Sequence, residues 1–265
     1  MPTVIYKKCT VFASTGLKGL ISLVMGAGRS VGQSIVESPK VYAINFTGSV
    51  EVGKGIASAA VQNLTCVQME MGSKNAFAVM DDADIDLAVS LALGGAFGGS
   101  GQKCTASLRL IVHQGVHDQF VDKLVARAKA MKVGHALEVG TQIGPVVSEQ
   151  KLSENMAYVD LAAKEGAEHL CGGERLEMAT DGYYMTSGVF VGTNNVMRIN
   201  REDMFAPLAC VIPVAGYDEA LHVVNDTNFG LTSGIVTINL ARATHFRRNA
   251  KTGCVMANLP TASTD

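Results

Sequence analysis

Gly101-Gln102-Lys103-Cys104-Thr105-Ala106 is the stretch on which the reading of this chain turns. It places a single thiol in a short polar run after a small-residue segment, and the apolar run that follows at 108–113 reads as a strand. Cys104 reads as a nucleophile. Gly98, Gly99 and Gly101 allow a tight backbone whose amides approach a reacting carbonyl, and Lys103 adds positive charge that favours thiolate. A free cysteine with a pKa near ~8.5 is only a few per cent thiolate at neutral pH, so such a site needs nearby N–H groups or a cation. The competing reading is a buried structural cysteine, because free Cys is among the most buried residue types. A second stretch shifts the balance: Met69-Glu70-Met71-Gly72-Ser73-Lys74-Asn75 puts a carboxylate, Glu70, 34 residues upstream of the thiol.

Composition sets the frame around these two stretches. With 265 residues, 48% hydrophobic and 17% charged, the chain is globular and long enough for one large or two ordinary domains. A net charge of −2 without a Lys/Arg run gives no electrostatic reason to expect nucleic acid or a membrane surface as partner, which leaves a small molecule. The six cysteines form no CxxC pair and no stretch resembles a signal peptide, which points to a reducing cytoplasm. No apolar run reaches the ~18 residues of a membrane span.

Outward from the thiol, strands alternate with helices. Residues 2–8 read as a short strand and 21–25 as another, followed by Gly26-Ala27-Gly28-Arg29-Ser30-Val31-Gly32 and a helical pattern at 33–37. Strand, glycine loop and helix is the arrangement in which backbone N–H groups approach a pyrophosphate, although GxGxxxG is one residue longer than the usual fingerprint. A buried strand is expected at 41–46, a helix N-capped by Ser49 at 50–62, and a strand at 65–71 that carries Glu70 to its end, where α/β folds place ligands. Asp81, Asp82, Asp84 and Asp86 open a helix running to about 96; clustered acids there suit the helix dipole better than a metal site. His113 and His117 lack partners at metal-ligand spacing and read as surface or capping residues. Helices at 118–131, 148–165, 218–225 and 240–250 then alternate with strands near 169–175, 183–190, 208–214, 233–237 and 253–259. The pattern predicts a mostly parallel, helix-covered sheet.

The two stretches together resemble the aldehyde dehydrogenase superfamily, which pairs a glutamate in E-L-G-G-K with a cysteine in G-Q-x-C at this spacing. Phe46-Thr47-Gly48-Ser49 with Glu51-Val52-Gly53, Asp81-Asp82-Ala83-Asp84, Gly144-Pro145, Met204-Phe205-Ala206-Pro207 and Asn258 follow in the family's order. The resemblance covers roughly 19–260. Residues 102–109 and 258–262 are most similar to the 2-oxoglutarate semialdehyde dehydrogenase branch. It implies an α/β fold with a partial Rossmann-like dinucleotide-binding domain at 1–70, a complete or near-complete catalytic α/β domain at 71–260 and a tail at 261–265. It further implies NAD or NADP as cofactor, an aldehyde or ester as substrate, and a homo-oligomer as one open assembly state. By resemblance, Cys104 is the nucleophile and Glu70 the base that activates water on the thioester. Lys7, Gly26, Gly28, Gly32, Ser49, Met71, Gly72, Asp203 and Phe205 would meet the cofactor; no metal is implied. Thr10 falls where NAD-preferring members often carry glutamate and would tolerate NADP.

The sequence also departs from the family's pattern. Ser73 replaces the second glycine of the Glu70 motif, Ala206 a glycine after Phe205, and Asp203 a glutamate one carbon longer. The resemblance implies a chain truncated at both ends and shortened near 8–18, without the upstream asparagine that supplies a second oxyanion donor. Loss of one such donor costs ~10²- to 10³-fold in kcat. Two alternatives therefore stand beside the dehydrogenase: an esterase that acylates Cys104 without a hydride acceptor, and an inactive fragment.

Overall fold

The computed structural model describes residues 7, 9–11, 14, 16 and 19–261. The chain divides into two compact units, Met1–Met71 and Gly72–Asp265.

In the first unit a π-helical turn, Gly28–Gly32, runs into the one-turn helix α1 (Gln33–Val36), and β1 (Ala43–Gly48), α2 (Val50–Gln62) and β2 (Cys66–Met71) follow. β1 and β2 pair in parallel, with Thr47 opposite Glu70 and Gly48 opposite Met71. Ser49 starts α2: its backbone is extended and its hydroxyl accepts the Val52 N–H at 3.3 Å, satisfying one of the orphan first-turn donors. Three expectations differ here. Residues 21–25 form no strand but an irregular run in which Ile21, Val24 and Met25 are exposed. An apolar run becomes a strand only where a neighbour supplies ladder partners, and among the described residues β1 and β2 pair only with each other. For the same reason β1, expected to be buried, alternates between exposed and half-buried positions. Of the strand expected at 2–8, residues 2–6 and 8 lie outside the described residues, and Lys7 is helical and exposed.

The second unit is built on a seven-stranded sheet. Its strands are β3 (Asn75–Val79), β4 (Ser107–His113), β5 (Glu168–Cys171), β8 (Gly188–Val191), β9 (Leu208–Val214), β10 (Thr232–Val236) and β11 (Cys254–Ala257), in the order β11-β10-β3-β4-β9-β8-β5. All neighbours are parallel except β5 with β8. A separate ribbon pairs β6 (Arg175–Leu176) with β7 (Tyr184–Met185). The inner strands β3, β4, β8, β9 and β10 are covered on both faces, which is why they read as largely apolar runs. On β3, Phe77 and Val79 enter one core with α3 (Ile85–Phe97), α4 (His117–Lys129) and α5 (Glu149–Lys164). Ala76 and Ala78, with Met80 just after the strand, enter the other, with α7 (Tyr217–Asn225) and α8 (Leu240–Asn249). A single turn, α6 (Arg198–Arg201), precedes β9.

The acidic run before α3 has structural partners. Asp84 caps the helix, accepting the Leu87 N–H at 3.0 Å, and Asp82 accepts the Thr237 hydroxyl at 2.8 Å. Asp81 pairs with Arg242, and Asp86 with Lys123 at 2.6 Å. His113 accepts the Gly115 N–H at 3.0 Å, and His117, the first residue of α4, pairs with Asp118 at 2.8 Å.

Candidate active site

The thiol sits after an unusual turn. α3 ends at Phe97, and Gly99, Ser100 and Gly101 then take left-handed backbone in succession, with φ of 64°, 60° and 66°. An L-residue in that region costs roughly 1–2 kcal/mol, yet Ser100 is buried there, and its hydroxyl donates to the Gly144 carbonyl at 2.8 Å. Gly101 has a steric reason as well as a dihedral one: a Cβ would run into the Ala206 carbonyl, so the loop is pressed against the Met204-Phe205-Ala206-Pro207 segment. The Gln102 side chain ties the loop to a third segment, accepting the Val147 N–H at 2.9 Å and donating to the Pro145 carbonyl at 3.4 Å.

Asn75 holds the loop from within. Buried at the start of β3, it donates to the carbonyls of Cys104 at 2.7 Å and Ala106 at 2.9 Å, and accepts the Thr232 N–H at 3.0 Å. The Cys104 backbone is thereby fixed while the residue stays exposed. Exposure alone does not single it out, since Cys66 is exposed too. What distinguishes Cys104 is the set of contacts converging on its loop from residues 75, 144–147 and 206.

Asp203 and Phe205 lie on the segment that packs against this loop. Phe205 is left-handed at φ 51° and half-buried. The Asp203 carboxylate occupies the space a Cβ at Gly72 would fill. Burial pushes its pKa up to about 6, with Lys74 and then Lys151 pulling it back. Lys74 is wholly buried and its Nζ has no hydrogen-bond partner among the described residues. Burial lowers the Lys74 pKa to about 8; the flanking Cys210, Asp203 and Glu202 favour its charge and Arg109 opposes it. Arg109, buried in the middle of β4, is by contrast fully engaged. Its Nε donates to the Lys74 carbonyl at 3.0 Å, Nη1 to Asn195 at 2.9 Å and to the Val223 carbonyl at 3.0 Å, and Nη2 to the Val224 carbonyl at 3.3 Å. Its pKa falls to about 10, through burial first, with nearby Arg201 adding to the fall and Asp226 opposing it. Asn258, also left-handed, bonds both backbone groups of Thr237 at 3.1 and 3.0 Å.

Gly72, Cys104, Asp203 and Phe205 therefore stand in the second unit. Lys7, Gly26, Gly28, Gly32, Ser49, Glu70 and Met71 stand in the first. Within the first unit, the β1–β2 register brings Ser49, Glu70 and Met71 to the C-terminal ends of two parallel strands, and Met71 sulfur packs against Gly53 at the first turns of α2. Ser49 and Glu70 are exposed. Gly26 is crowded by the Val31 side chain, whereas Gly28 and Gly32 lie in the π-helical turn with open space where a Cβ would stand. They form no loop between a strand and a helix. In the first unit, the exposed Ser49 hydroxyl at the N-terminus of the 13-residue α2 is a group of the kind that fits a phosphate. In the second, the half-buried Asp203 carboxylate is an acceptor of the kind that fits sugar hydroxyls. Asn75, Lys74 and Arg109 were not singled out from the sequence. The available signal was a lone arginine inside an apolar strand run, Leu108-Arg109-Leu110-Ile111-Val112.

Comparison with known proteins places the chain. The aldehyde dehydrogenase family model matches residues 1–265. The chain belongs to this family. It is 38% identical over 257 residues to the alpha-ketoglutaric semialdehyde dehydrogenase of Bacillus subtilis, covering 96% of this chain and 53% of that protein. With the 2,5-dioxopentanoate dehydrogenase of Saccharolobus solfataricus it shares 35% identity over 263 residues, 98% of this chain and 54% of the relative. A point mutant of betaine aldehyde dehydrogenase from Staphylococcus aureus, solved with NAD+ and a BME-modified cysteine, superposes with a TM-score of 0.94 at 32% identity. That match covers 97% of this chain and 52% of the other. This aldehyde dehydrogenase chain thus spans about half the length of the relatives it matches.

Proposed function

We propose that the chain serves the oxidation of an aldehyde of the semialdehyde type to a carboxylic acid, with NAD or NADP as acceptor. The observation that carries this proposal is the clamped, left-handed turn at 99–101 that presents Cys104 exposed on a fixed backbone. Similarity to two semialdehyde dehydrogenases supports the substrate class, and the NAD+ complex of the S. aureus relative supports the cofactor class.

In this mechanism the Cys104 sulfur, as thiolate, adds to the aldehyde carbon and forms the C–S bond of a thiohemiacetal, while the Cys104 N–H stabilises the oxyanion. A dinucleotide, when bound, would supply the hydride acceptor for oxidation of this adduct to a thioester. Glu70 then takes a proton from water as it attacks the acyl carbon; the C–S bond breaks, releasing the carboxylic acid and returning the thiol. By resemblance, Ser49 would hold the cofactor phosphate, and Asp203 and Phe205 would hold the nicotinamide ribose. Lys7, Gly26, Gly28, Gly32, Met71 and Gly72 complete the cofactor contacts by resemblance.

The test is NAD(P)H formation from a short semialdehyde by the purified chain and by Cys104→Ala. Absorbance growth that vanishes in the variant is expected; no growth with any short semialdehyde contradicts the proposal. A p-nitrophenyl ester, run in parallel, reports the thiol without the cofactor. Ester hydrolysis lost in Cys104→Ala but unaccompanied by aldehyde oxidation would assign the chain to the esterase alternative.

A further inference from the structure

We infer that Thr261 is a positioning residue for Cys104: by sharing a buried hydrogen bond with Ser107, it ties the segment after β11 to the base of the thiol loop. The inference deepens the proposed function and rests on it in one respect, that Cys104 is the nucleophile whose placement matters.

The need for such a tie lies in the β4 ladder. Ser107 opens β4 just after the thiol loop and pairs with Asn75 of β3, but the next pair joins Ala76 to Arg109, so Leu108 is an extra residue, as in a β-bulge. On the other side, β9 pairs with β4 only from Arg109 onward. A bulge disrupts the ladder locally, so backbone pairing alone holds residues 104–107 weakly. Side chains supply the rest. Asn75 donates to the carbonyls of Cys104 and Ala106. The buried Ser107 hydroxyl shares a hydrogen bond with the Thr261 hydroxyl, its one side-chain partner among the described residues.

Thr261 reaches this point from a fixed start and enters a shaped socket. Asn258, bonded to both backbone groups of Thr237, anchors the segment. Leu259 is exposed, and the chain then turns inward and buries Thr261. A Cβ at Gly234 of β10 would run into the Thr261 methyl, and one at Gly95 of α3 would touch its hydroxyl. Valine would fill this socket as threonine does. Packing alone therefore does not account for the hydroxyl, which in a buried place is unfavourable unless it is paired. Its pair stands at the strand start that carries the thiol loop.

The test compares the wild type with Thr261→Val, Thr261→Ser and the double variant Ser107→Ala/Thr261→Val, by peptide-mapped mass spectrometry of the full chain. One readout is acetylation of Cys104 by p-nitrophenyl acetate, relative to the exposed Cys66 of the same molecule. The other is hydrogen exchange of the peptide 98–107, whose Ala106 N–H donates to the Lys103 carbonyl at 3.1 Å. In Thr261→Val the Cys104-to-Cys66 ratio is expected to fall about tenfold and loop exchange to quicken by a similar factor, the order of one lost hydrogen bond. Thr261→Ser is expected to keep both near their wild-type values. The double variant leaves neither hydroxyl unpaired, covers the case in which Thr261→Val does not fold, and is expected to show the same fall. A folded variant with a lower urea midpoint but an unchanged ratio overturns the inference, because that is the result of a merely structural threonine. A wild type in which Cys104 is acetylated no faster than Cys66 overturns the nucleophile reading instead. Loop exchange then still decides whether Thr261 holds the loop: faster exchange in Thr261→Val supports the tie, and unchanged exchange overturns it.

Discussion

At the scale of single residues, the site depends on groups that keep a loop in an unfavourable conformation. Gly101→Ala would add a Cβ that meets the Ala206 carbonyl at a positive φ. We expect the variant to lose about 2 kcal/mol or more in urea denaturation and most of its thiol-dependent turnover. Asn75 offers a sharper contrast. Asn75→Ala leaves two carbonyls and the Thr232 N–H unpaired, at about 1–3 kcal/mol for each group that stays buried. Asn75→Asp keeps the shape but turns a donor into an acceptor facing the same two carbonyls, so its melting temperature at pH 7 is expected to fall below that of Asn75→Ala. Lys74 makes a pH prediction for stability. Its pKa is about 8 in the folded chain against an ordinary lysine value of 10.5, so between these values the unfolded chain binds more protons and stability rises with pH. The urea midpoint of the wild type relative to Lys74→Met is therefore expected to climb between pH 8 and pH 10.5; a flat difference would contradict it.

At the scale of elements, helix starts and the strands of the large sheet were legible in the sequence. The bounds expected for the helix at 50–62 and the strand at 208–214 are those observed, because Ser49 caps the one and burial on both faces makes the other a continuous apolar run. Ser49→Ala and Asp84→Ala each remove a cap bond and should cost about 1 kcal/mol. Phe246→Ala, by emptying a fully buried position under α8, should cost about 3–5 kcal/mol, a ranking that denaturant midpoints check. Other features were not legible for identifiable reasons. The apolar run at 21–25 carries a strand's composition, but strand formation depends on a neighbour that composition does not report. The four-residue α6 is too short to show a helical period. The glycines at 98, 99 and 101 announced a tight turn, while the left-handed Ser100 between them is fixed by Gly144, 44 residues away.

At the scale of the whole molecule, spacing and motif pointed to Cys104 and Glu70 as candidates, whereas the bonds that hold the Cys104 loop come from distant parts of the chain. Asn75 joins the Cys104 loop across 29 residues and β10 across 157, and Arg109 reaches the end of α7 across 115. No local pattern encodes such pairs. The proposed function gives Cys104 the role of nucleophile and Glu70 that of base. The most direct measurement is peptide-mapped mass spectrometry of the chain quenched during turnover of a short semialdehyde with NAD+, in the wild type and in Glu70→Gln. An acyl adduct on Cys104 that accumulates in Glu70→Gln is the predicted result; product formation with no adduct on Cys104, or with the adduct on Cys66, would contradict it.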